Sequence, residues 1–398
     1  MKVMRVLYIV PAMFPYGWAY AARARNIAKM ICESGHDVTV MSDYLSDDLE
    51  WLDNNYAKDG DIEIITTSCL KASERRLIDK ILVSIRLKKK LTTYLKNNQV
   101  DCIICDQTAN KYLIVSRIVK NIGIPFIIEI CEWYSWKNWK YGVFDFRYWQ
   151  FIYCWQKKIK FEENIICIST KLEKYFYQEN KNIIRIPGIL DTQYKTPKLY
   201  DKLHKTIKLV FIGGVTGGKD ELSNLIEVIC EYNLPFSLEI YGPSKEDIYN
   251  IVHLRKIVRQ TLEDKVHIHG FINQKDLHDQ IKECDYGIII RPKRRSSDAG
   301  FPTKLGEYLI AGLPILANDT GDICLYIKDG ENGFILKNNS KKSILNTLNR
   351  IVDVNEYQYR KMSTHARRTA INYLDYRRYQ EKINLFLKKI VERGQNEP

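Results

Sequence analysis

The chain has 398 residues, of which 45% are apolar and 27% charged, and this composition of folded globular proteins excludes general disorder. The length predicts two domains, and no stretch approaches the roughly 18 uninterrupted apolar residues of a membrane-spanning helix. The formal net charge of +13 fits nucleic acid, an anionic membrane surface or an anionic substrate, but neither zinc-finger spacing nor an RNA-binding strand pair is present. The ten scattered cysteines predict reduced thiols in the cytoplasm.

Strand-like and helix-like segments alternate along the first half of the chain. It opens with a predicted strand at Arg5–Val10, a proline-containing loop, a helix at Tyr20–Glu33 and a strand at Val38–Met41. A polar, lysine-rich stretch around Thr192–Lys205 predicts a linker between two domains. The other predicted strands before this linker are Ile62–Thr66, Asp101–Cys105, Pro125–Ile130, Ile165–Ile168 and Ile183–Ile186.

A second alternating series follows the linker and predicts a second domain of the same class. The alternation predicts parallel sheets covered by helices, in two tandem doubly wound α/β domains that face a ligand-binding cleft. The predicted strands are Lys208–Gly213, Ser237–Tyr241, Val266–His269, Tyr286–Arg291, Pro314–Ala317 and Gly333–Lys337. The predicted helices are Glu221–Glu231, Ile248–Leu262, Gln274–Lys282, Pro302–Ala311, Ser340–Asp353, Asn355–Asn372 and Asp375–Arg393.

A glycine-rich turn, Gly213 to Lys219, follows the first strand of the second domain and precedes a helix. Glycines allow a backbone to approach a phosphate closely, and the amides of a helix N-terminus favour an anion. Lys219 adds a cation to the same turn, although the spacing is not that of a Walker loop. Taken alone, the pattern is equally compatible with a purely structural turn.

The segment Phe301–Leu309 predicts a second anion site. Pro302 is favoured at the first position of a helix, where the amides of Thr303, Lys304 and Leu305 would be unpaired and suited to a phosphate. Glu307 follows one turn later, where a carboxylate could accept hydrogen bonds from two ribose hydroxyls. The spacing is equally compatible with an exposed Lys304–Glu307 ion pair.

Together these features resemble the retaining glycosyltransferases of the GT-B fold, in particular family four, the glycosyltransferase group 1 type. The resemblance covers most of the chain. It rests on Gly35-His36-Asp37-Val38 in the opening unit, on Ile186–Asp191, on Gly213–Lys219, and on Phe301–Gly312 followed by Leu313-Pro314-Ile315.

The resemblance implies an N-terminal Rossmann-like acceptor-binding domain at residues 1–195 and a C-terminal nucleotide-sugar-binding domain at residues 206–372. It also implies that a C-terminal helix within residues 375–398 crosses back and packs on the first domain. The implied enzyme moves a sugar from a nucleotide-diphosphate-sugar donor to a glycan or lipid-linked glycan, with retention. No metal or other cofactor is expected, and no nucleic acid. The expected setting is surface polysaccharide biosynthesis, such as capsule or lipopolysaccharide, in the cytoplasm and peripherally at the inner face of the cell membrane.

The resemblance also assigns residues. Lys219 is expected to bind the diphosphate, the amides of Thr303, Lys304 and Leu305 to cradle phosphate oxygens, and Glu307 to hold the ribose. The family's diphosphate-binding arginine is replaced here by Gly214, and the first glutamate of its usual pair is replaced by Ala299. The other expected donor-binding residues, including those that compensate for these two departures, are Gly17, Gly213, Gly214, Gly242, Phe271, Arg291 and Asp298.

A carboxylate near the reacting sugar is expected after the strand Pro125–Ile130, where Glu129 and Glu132 stand. Many relatives have a histidine in this domain, but His36 lies in a turn and predicts a structural role. Glu132 is the predicted catalytic group, orienting an acceptor hydroxyl or stabilising charge on the sugar. A strand-end glutamate that is merely solvated is the alternative.

Aromatic and basic residues predict an acceptor or membrane face at Trp133, Trp136 and Trp139. For Trp149 and Trp155, burial on the first domain is favoured. The basic amphipathic segment Arg75–Lys96 fits either anionic lipid or the sheet, with a predicted apolar stripe of Leu77, Ile78, Ile81, Leu82, Ile85 and Leu91.

Two other functions remain open from the sequence. A sugar-nucleotide epimerase of the same architecture would convert the donor without an acceptor. A catalytically inactive, membrane-associated scaffold would tolerate the changes at Gly214 and Ala299.

Overall fold

The computed structural model describes residues 3–17, 19–53, 55–71, 73–74, 77–177, 181–193, 205–215, 220–251, 259–272 and 274–396. The chain divides into two compact units. Unit 1 comprises Met1–Cys131, Tyr141–Leu190 and Tyr376–Pro398, and unit 2 comprises Glu132–Lys140 and Asp191–Asp375. The first unit therefore ends close to the predicted linker, and it takes the last helix of the chain.

Strands and helices alternate through both units. The strands are β1 (Arg5–Phe14), β2 (Asp37–Leu45), β3 (Tyr56–Asp59), β4 (Ile62–Thr66), β5 (Cys102–Asp106), β6 (Phe126–Ile130), β7 (Asn164–Cys167), β8 (Asn182–Arg185), β9 (Ile207–Ile212), β10 (Phe236–Tyr241), β11 (Val266–Gly270), β12 (Tyr286–Ile289), β13 (Ile315–Asn318) and β14 (Gly333–Leu336). The helices are α1 (Ala19–Glu33), α2 (Leu77–Asn97), α3 (Ala109–Ile122), α4 (Phe146–Lys157), α5 (Thr170–Phe176), α6 (Ser223–Glu231), α7 (Lys245–Ile251), α8 (Arg259–Lys265), α9 (Gln274–Lys282), α10 (Arg295–Ala299), α11 (Lys304–Ala311), α12 (Ile323–Tyr326), α13 (Lys341–Val352), α14 (Glu356–Tyr373) and α15 (Gln380–Asn396).

The sheet of unit 1 has eight strands in the order β3-β4-β2-β1-β5-β6-β7-β8. Its strand pairs are parallel except β3–β4, which is antiparallel. Runs such as Ile103–Ile104 and Ile127–Ile128 are buried on both faces, as expected for parallel strands covered by helices. The last helix, α15, contributes Ile383, Leu387 and Ile390 at helical spacing to the same core as α1.

The sheet of unit 2 has six parallel strands in the order β11-β10-β9-β12-β13-β14. Numbered within the unit, this is the strand order 3-2-1-4-5-6 of dinucleotide-binding folds. The order reverses between β9 and β12. In doubly wound sheets, ligands bind outside the carboxyl ends of the strands at this switch point.

The predicted strands and the two-domain α/β architecture are confirmed, with boundaries that differ by a few residues. The sequence analysis missed β3, a short antiparallel edge strand, and α10, a short helix between the predicted strand Tyr286–Arg291 and the predicted helix Pro302–Ala311. The helix predicted at Ile248–Leu262 falls on α7 and α8, and residues 252–258 between them lie outside the described part, so its continuity stays a prediction.

The apolar stripe predicted for α2 is also wrong in part. Val83, Leu87 and Leu91 are buried, at a spacing of four residues that places them on one face, whereas Ile85 is exposed. The side chains of Leu77, Ile78 and Ile81 lie outside the described residues. No described helix combines the length and the apolar character that crossing a membrane would require.

Candidate active site

Three neighbouring strands of unit 2 end in glycines with left-handed backbone conformations. Gly213 follows β9 with φ of 119°, Gly242 follows β10 with φ of 118°, and Gly270 ends β11 with φ of 70°. The Gly213 amide donates to the Tyr241 carbonyl at 3.0 Å, and the Gly242 amide donates to the Gly270 carbonyl at 2.7 Å. A Cβ on Gly242 would lie 2.8 Å from the Gly213 carbonyl oxygen. The carboxyl edge therefore exposes backbone that a ligand can approach closely.

The side chain of Lys304 extends from α11 to this edge. Its ammonium lies 2.8 Å from Asp220 Oδ2, and the two side chains are only 12% and 8% exposed. The same ammonium lies 3.9 Å from the centroid of the Phe211 ring, and a Cβ on Gly213 would be 3.6 Å from it. The exposed Lys304–Glu307 pair considered from the sequence is therefore wrong, because Lys304 forms a largely buried ion pair beside the glycine turn.

Tyr308 fixes α11 against the same strands. Its hydroxyl accepts a hydrogen bond from the Ile212 amide at 2.8 Å, one residue before Gly213. The ring covers Gly287 on β12, where a Cβ would lie 2.4 Å from ring carbons. Burial raises the pKa of Tyr308 well above its ordinary value, so the hydroxyl stays neutral. Lys304 and Tyr308 are four residues apart and both reach the end of β9.

Sequence reasoning missed both Tyr308 and Asp220. The four-residue spacing between Lys304 and Tyr308 was the available signal for Tyr308, whereas nothing local marked Asp220. Its Oδ1 atom is buried and has no hydrogen-bond partner among the described residues.

The start of α11 differs from the prediction. The helix begins at Lys304 with Thr303 as its N-cap residue, two residues after Pro302. The Leu305 amide donates to the Pro302 carbonyl at 2.9 Å, so the expectation of an unpaired amide at Leu305 is wrong. The tight first turn of the helix thus occupies the Leu305 amide, which is no longer available to a ligand. The predicted phosphate cradle is thereby reduced to the amides of Thr303 and Lys304, with the half-buried Glu307 in the first turn.

Arg291 follows β12, at the switch point, and is buried. Its amide donates to Asn318 Oδ1 at 2.8 Å, and its guanidinium Nη1 donates to the Ser297 carbonyl at 3.0 Å. The first bond ties Arg291 to β13, and the second ties it to the backbone of α10, which carries the half-buried Asp298. Ala299, where the family has a glutamate, is fully buried.

Glu132 lies next to this helix within unit 2. A Cβ placed on Gly300 would be 3.3 Å from Glu132 Oε2 and 3.8 Å from Arg291 Nη2. The predicted catalytic carboxylate and a predicted donor-binding cation therefore converge on the residue that precedes Phe301. The structure thus brings together Glu132, Arg291 and the segment that carries Lys304.

Residues 255–369 match the family model described as glycosyl transferases group 1. This range contains α10 and α11, with Lys304, Glu307 and Tyr308. This part of unit 2 is therefore similar to the group 1 glycosyltransferases. No curated protein matches the chain.

Solved structures of low sequence identity show that the chain has the GT-B fold. Sucrose-phosphate synthase from Thermosynechococcus elongatus has a TM-score of 0.71 at 13% identity, over 97% of this chain and 99% of that one. HepE from Anabaena in complex with UDP has a TM-score of 0.66 at 14% identity, over 97% and 100%. The lipopolysaccharide outer core galactosyltransferase WaaB has a TM-score of 0.59 at 16% identity, over 97% and 99%.

The carboxyl edge of the sheet in unit 1 carries a buried polar cluster. Glu129 is fully buried and accepts from Arg23 Nε at 2.6 Å and from the hydroxyls of Tyr20 and Tyr8. Burial raises the pKa of the neighbouring Asp106 to about 6, although the hydrogen bonds that it accepts from Thr108 lower the pKa. The alternative of a merely solvated strand-end glutamate is therefore wrong for Glu129, which is buried and accepts hydrogen bonds from side chains of unit 1.

The tryptophans behave differently from one another. Within unit 2, the Arg295 guanidinium lies over the Trp133 ring, with its carbon 5.1 Å from the ring centroid. The Trp139 ring contacts the Tyr134 ring edge-on in the same unit. Trp136 is exposed. Trp155 is buried as predicted, but the predicted burial of Trp149 is wrong because its side chain is exposed on α4.

Several predicted site residues stay predictions. Lys219 lies outside the described residues. Gly17 and Gly214 are exposed, as is the Phe271 side chain after β11. His36 accepts from the Met4 amide at 3.3 Å and lies 2.9 Å from Asn384 Oδ1, contacts that fit a structural role. Among the described residues, no group of three or more potential ligands forms a metal site.

Proposed function

We propose that the chain is a glycosyltransferase that binds a nucleoside-diphosphate sugar at the carboxyl edge of unit 2 and transfers the sugar, with retention, to a glycan or lipid-linked glycan. The observation that carries the proposal is the largely buried Lys304 cation at the switch point. Lys304 is held beside the bare Gly213 turn, where a phosphate can contact both backbone amides and an ammonium. The HepE structure contains UDP, which supports a nucleotide-sugar donor.

Each part of the donor has a proposed partner. The diphosphate contacts Lys304, Lys219 and the amides of Thr303 and Lys304, and Glu307 accepts from the ribose hydroxyls. The base lies along the backbone of Gly242 and Gly270, where the exposed Phe271 ring offers an aromatic surface for stacking. The remaining proposed donor contacts are Gly17, Gly213, Gly214, Arg291 and Asp298.

In the proposed reaction, the bond between the anomeric carbon and the diphosphate oxygen breaks as the acceptor hydroxyl attacks from the same face. The hydroxyl proton passes to the departing diphosphate, so no separate base and no metal or cofactor is needed. The protein supplies positioning and positive charge on the leaving group, chiefly through Lys304 and Lys219. Glu132, beside Gly300, orients the hydroxyl or stabilises charge that develops on the sugar.

The proposed acceptor is a surface glycan precursor that unit 1 binds, with the enzyme at the inner face of the membrane and no nucleic acid involved. The similarity to WaaB, named as a lipopolysaccharide outer core galactosyltransferase, supports this setting. The positive net charge of +13 suits both an anionic donor and an anionic lipid surface.

A donor panel tests the proposal. The purified chain is incubated with nucleoside-diphosphate sugars of different bases, and release of the nucleoside diphosphate is measured. We expect slow hydrolysis of one donor, weakened in Glu307→Ala and in Lys304→Met. A donor converted to its isomer without release would instead indicate an epimerase. If no donor is consumed and none raises the melting temperature, the proposal fails in favour of an inactive scaffold.

A further inference from the structure

Helix α4 in unit 1 has apolar side chains on two faces, and only one of these faces is buried. Phe151, Cys154 and Trp155 are buried in the unit. The Trp155 ring packs against Phe151 at 5.4 Å and against Phe176 at 5.3 Å between centroids. This face has the three-to-four-residue spacing of an ordinary core-facing stripe.

The opposite face is apolar and exposed. Phe146, Trp149 and Tyr153, again three and four residues apart, are 75%, 58% and 51% exposed. The preceding 3-10 turn adds Val143 and Phe144, and Phe144 is 91% exposed. We call these five side chains the aromatic platform. Burial within the unit does not explain them, and contiguous exposed apolar groups of this kind mark interaction surfaces.

The platform is held in a defined shape. Trp149 Nε1 donates to the Val143 carbonyl at 2.7 Å, which fastens the 3-10 turn to α4. Asp145, between the turn and the helix, caps α4 by accepting from the Arg147 amide at 3.1 Å. The exposed rings therefore project from a fixed backbone.

The stretch of sequence that forms the platform carries a net positive charge. Between Tyr141 and Phe161 the only acidic residue is Asp145, against four basic residues. Asp145 is buried and is engaged by the Arg147 guanidinium at 2.8 and 2.6 Å. The basic residues at the end of α4 and just beyond it are exposed, namely Lys157, Lys158 and Lys160.

We propose that the aromatic platform docks on a bilayer that contains anionic lipid. Aromatic rings partition into the membrane interface, and lysines near it are attracted to anionic headgroups. A second copy of the chain fits less well, because a twofold interface would face the same lysines towards each other. The inference extends the membrane setting of the proposed function, but it depends on surface chemistry and not on the donor site.

Vesicle co-sedimentation of the full chain tests the inference. Vesicles of phosphatidylcholine with and without phosphatidylglycerol are compared at low and high salt. We expect binding only to the anionic vesicles, weakened by salt. The Phe144→Ser/Phe146→Ser variant should bind about tenfold more weakly or worse, since it loses two large apolar groups. Lys157→Gln and Lys160→Gln should each lower the affinity for anionic vesicles by about fivefold.

A matched control is Tyr357→Ser on α14 of unit 2, where the side chain is 76% exposed. It should bind vesicles as the unchanged protein does. The inference is overturned if the protein ignores anionic vesicles, or if Phe144→Ser/Phe146→Ser binds them equally well. It is also overturned if that variant loses self-association, or capture of an acidic protein, without losing vesicle binding. Donor hydrolysis without vesicles separates the two proposals, because the platform variants should retain it.

Discussion

Lys304→Met removes the cation that carries the proposed donor site. Hydrogen bonds to a charged group contribute roughly 1.5–3 kcal/mol, so loss of the contact between Lys304 and the diphosphate should weaken donor binding by about 10- to 150-fold. Asp220, 8% exposed and 2.8 Å from the ammonium, is then left as an unpaired buried carboxylate. Removal of one partner of a buried pair costs roughly 3–5 kcal/mol of stability, so the single variant should also unfold more easily.

The double variant Lys304→Met/Asp220→Asn separates these two effects. Because it removes the unpaired charge along with the cation, most of the lost stability should return while donor binding stays weak. Both quantities are measurable, the affinity by calorimetric titration with the nucleoside diphosphate and the stability by denaturant unfolding. The reasoning is wrong if the double variant binds the diphosphate as tightly as the unchanged protein.

Lys341→Met provides a matched control in the same unit. Lys341 pairs with Glu227 at 2.5 Å and with Glu231 at 2.8 Å, and it lies on α13 away from the glycine turn. Its replacement should lower stability without changing affinity for the diphosphate. A comparable loss of affinity in this control would mean that the effect of Lys304→Met reports on general destabilisation.

Three further predictions concern single residues. Glu307→Gln should weaken binding of a nucleoside diphosphate by about tenfold but leave inorganic diphosphate binding unchanged, since only the former has ribose hydroxyls; equal losses for both ligands would contradict the ribose assignment. Tyr308→Phe should lower the free energy of unfolding in urea by about 1–3 kcal/mol because it leaves the partly buried Ile212 amide without its acceptor, and an unchanged unfolding midpoint would exclude this bond. Burial raises the pKa of Asp106 to about 6, so the folded protein keeps a proton that the unfolded chain releases above about pH 4. Relative to Asp106→Asn, the unchanged protein should therefore lose up to roughly 3 kcal/mol of stability as the pH rises from about 4 to 7, whereas parallel stability curves would contradict the raised pKa.

The sheets could be predicted because their strands are buried on both faces. Apolar runs such as Ile103–Ile104 and Ile288–Ile290 indicate interior strands without knowledge of the strands that they pair with. The edge strand β3 has no such run, and its antiparallel pairing with β4 depends on the turn between them. The tandem layout followed from the alternation, and the 3-2-1-4-5-6 order followed only from the structure.

The candidate site could be predicted only where its chemistry is local. The glycines and the helix start were visible in sequence, but the partner of Lys304 is 84 residues away and the neighbouring Glu307 misled the local interpretation. The bond from Leu305 to Pro302 depends on how the first turn tightens. Trp149 was misplaced because α4 has two apolar stripes, and periodicity alone does not indicate which stripe faces the core.

Donor binding to the full chain is the decisive measurement. Calorimetric titration with nucleoside diphosphates and their sugars should find one base that binds with a single site, and Glu307→Ala together with Lys304→Met/Asp220→Asn should abolish most of that binding. Affinity that is indifferent to both changes would place the donor elsewhere. Absence of binding by every nucleotide would contradict the proposal that unit 2 holds an activated sugar.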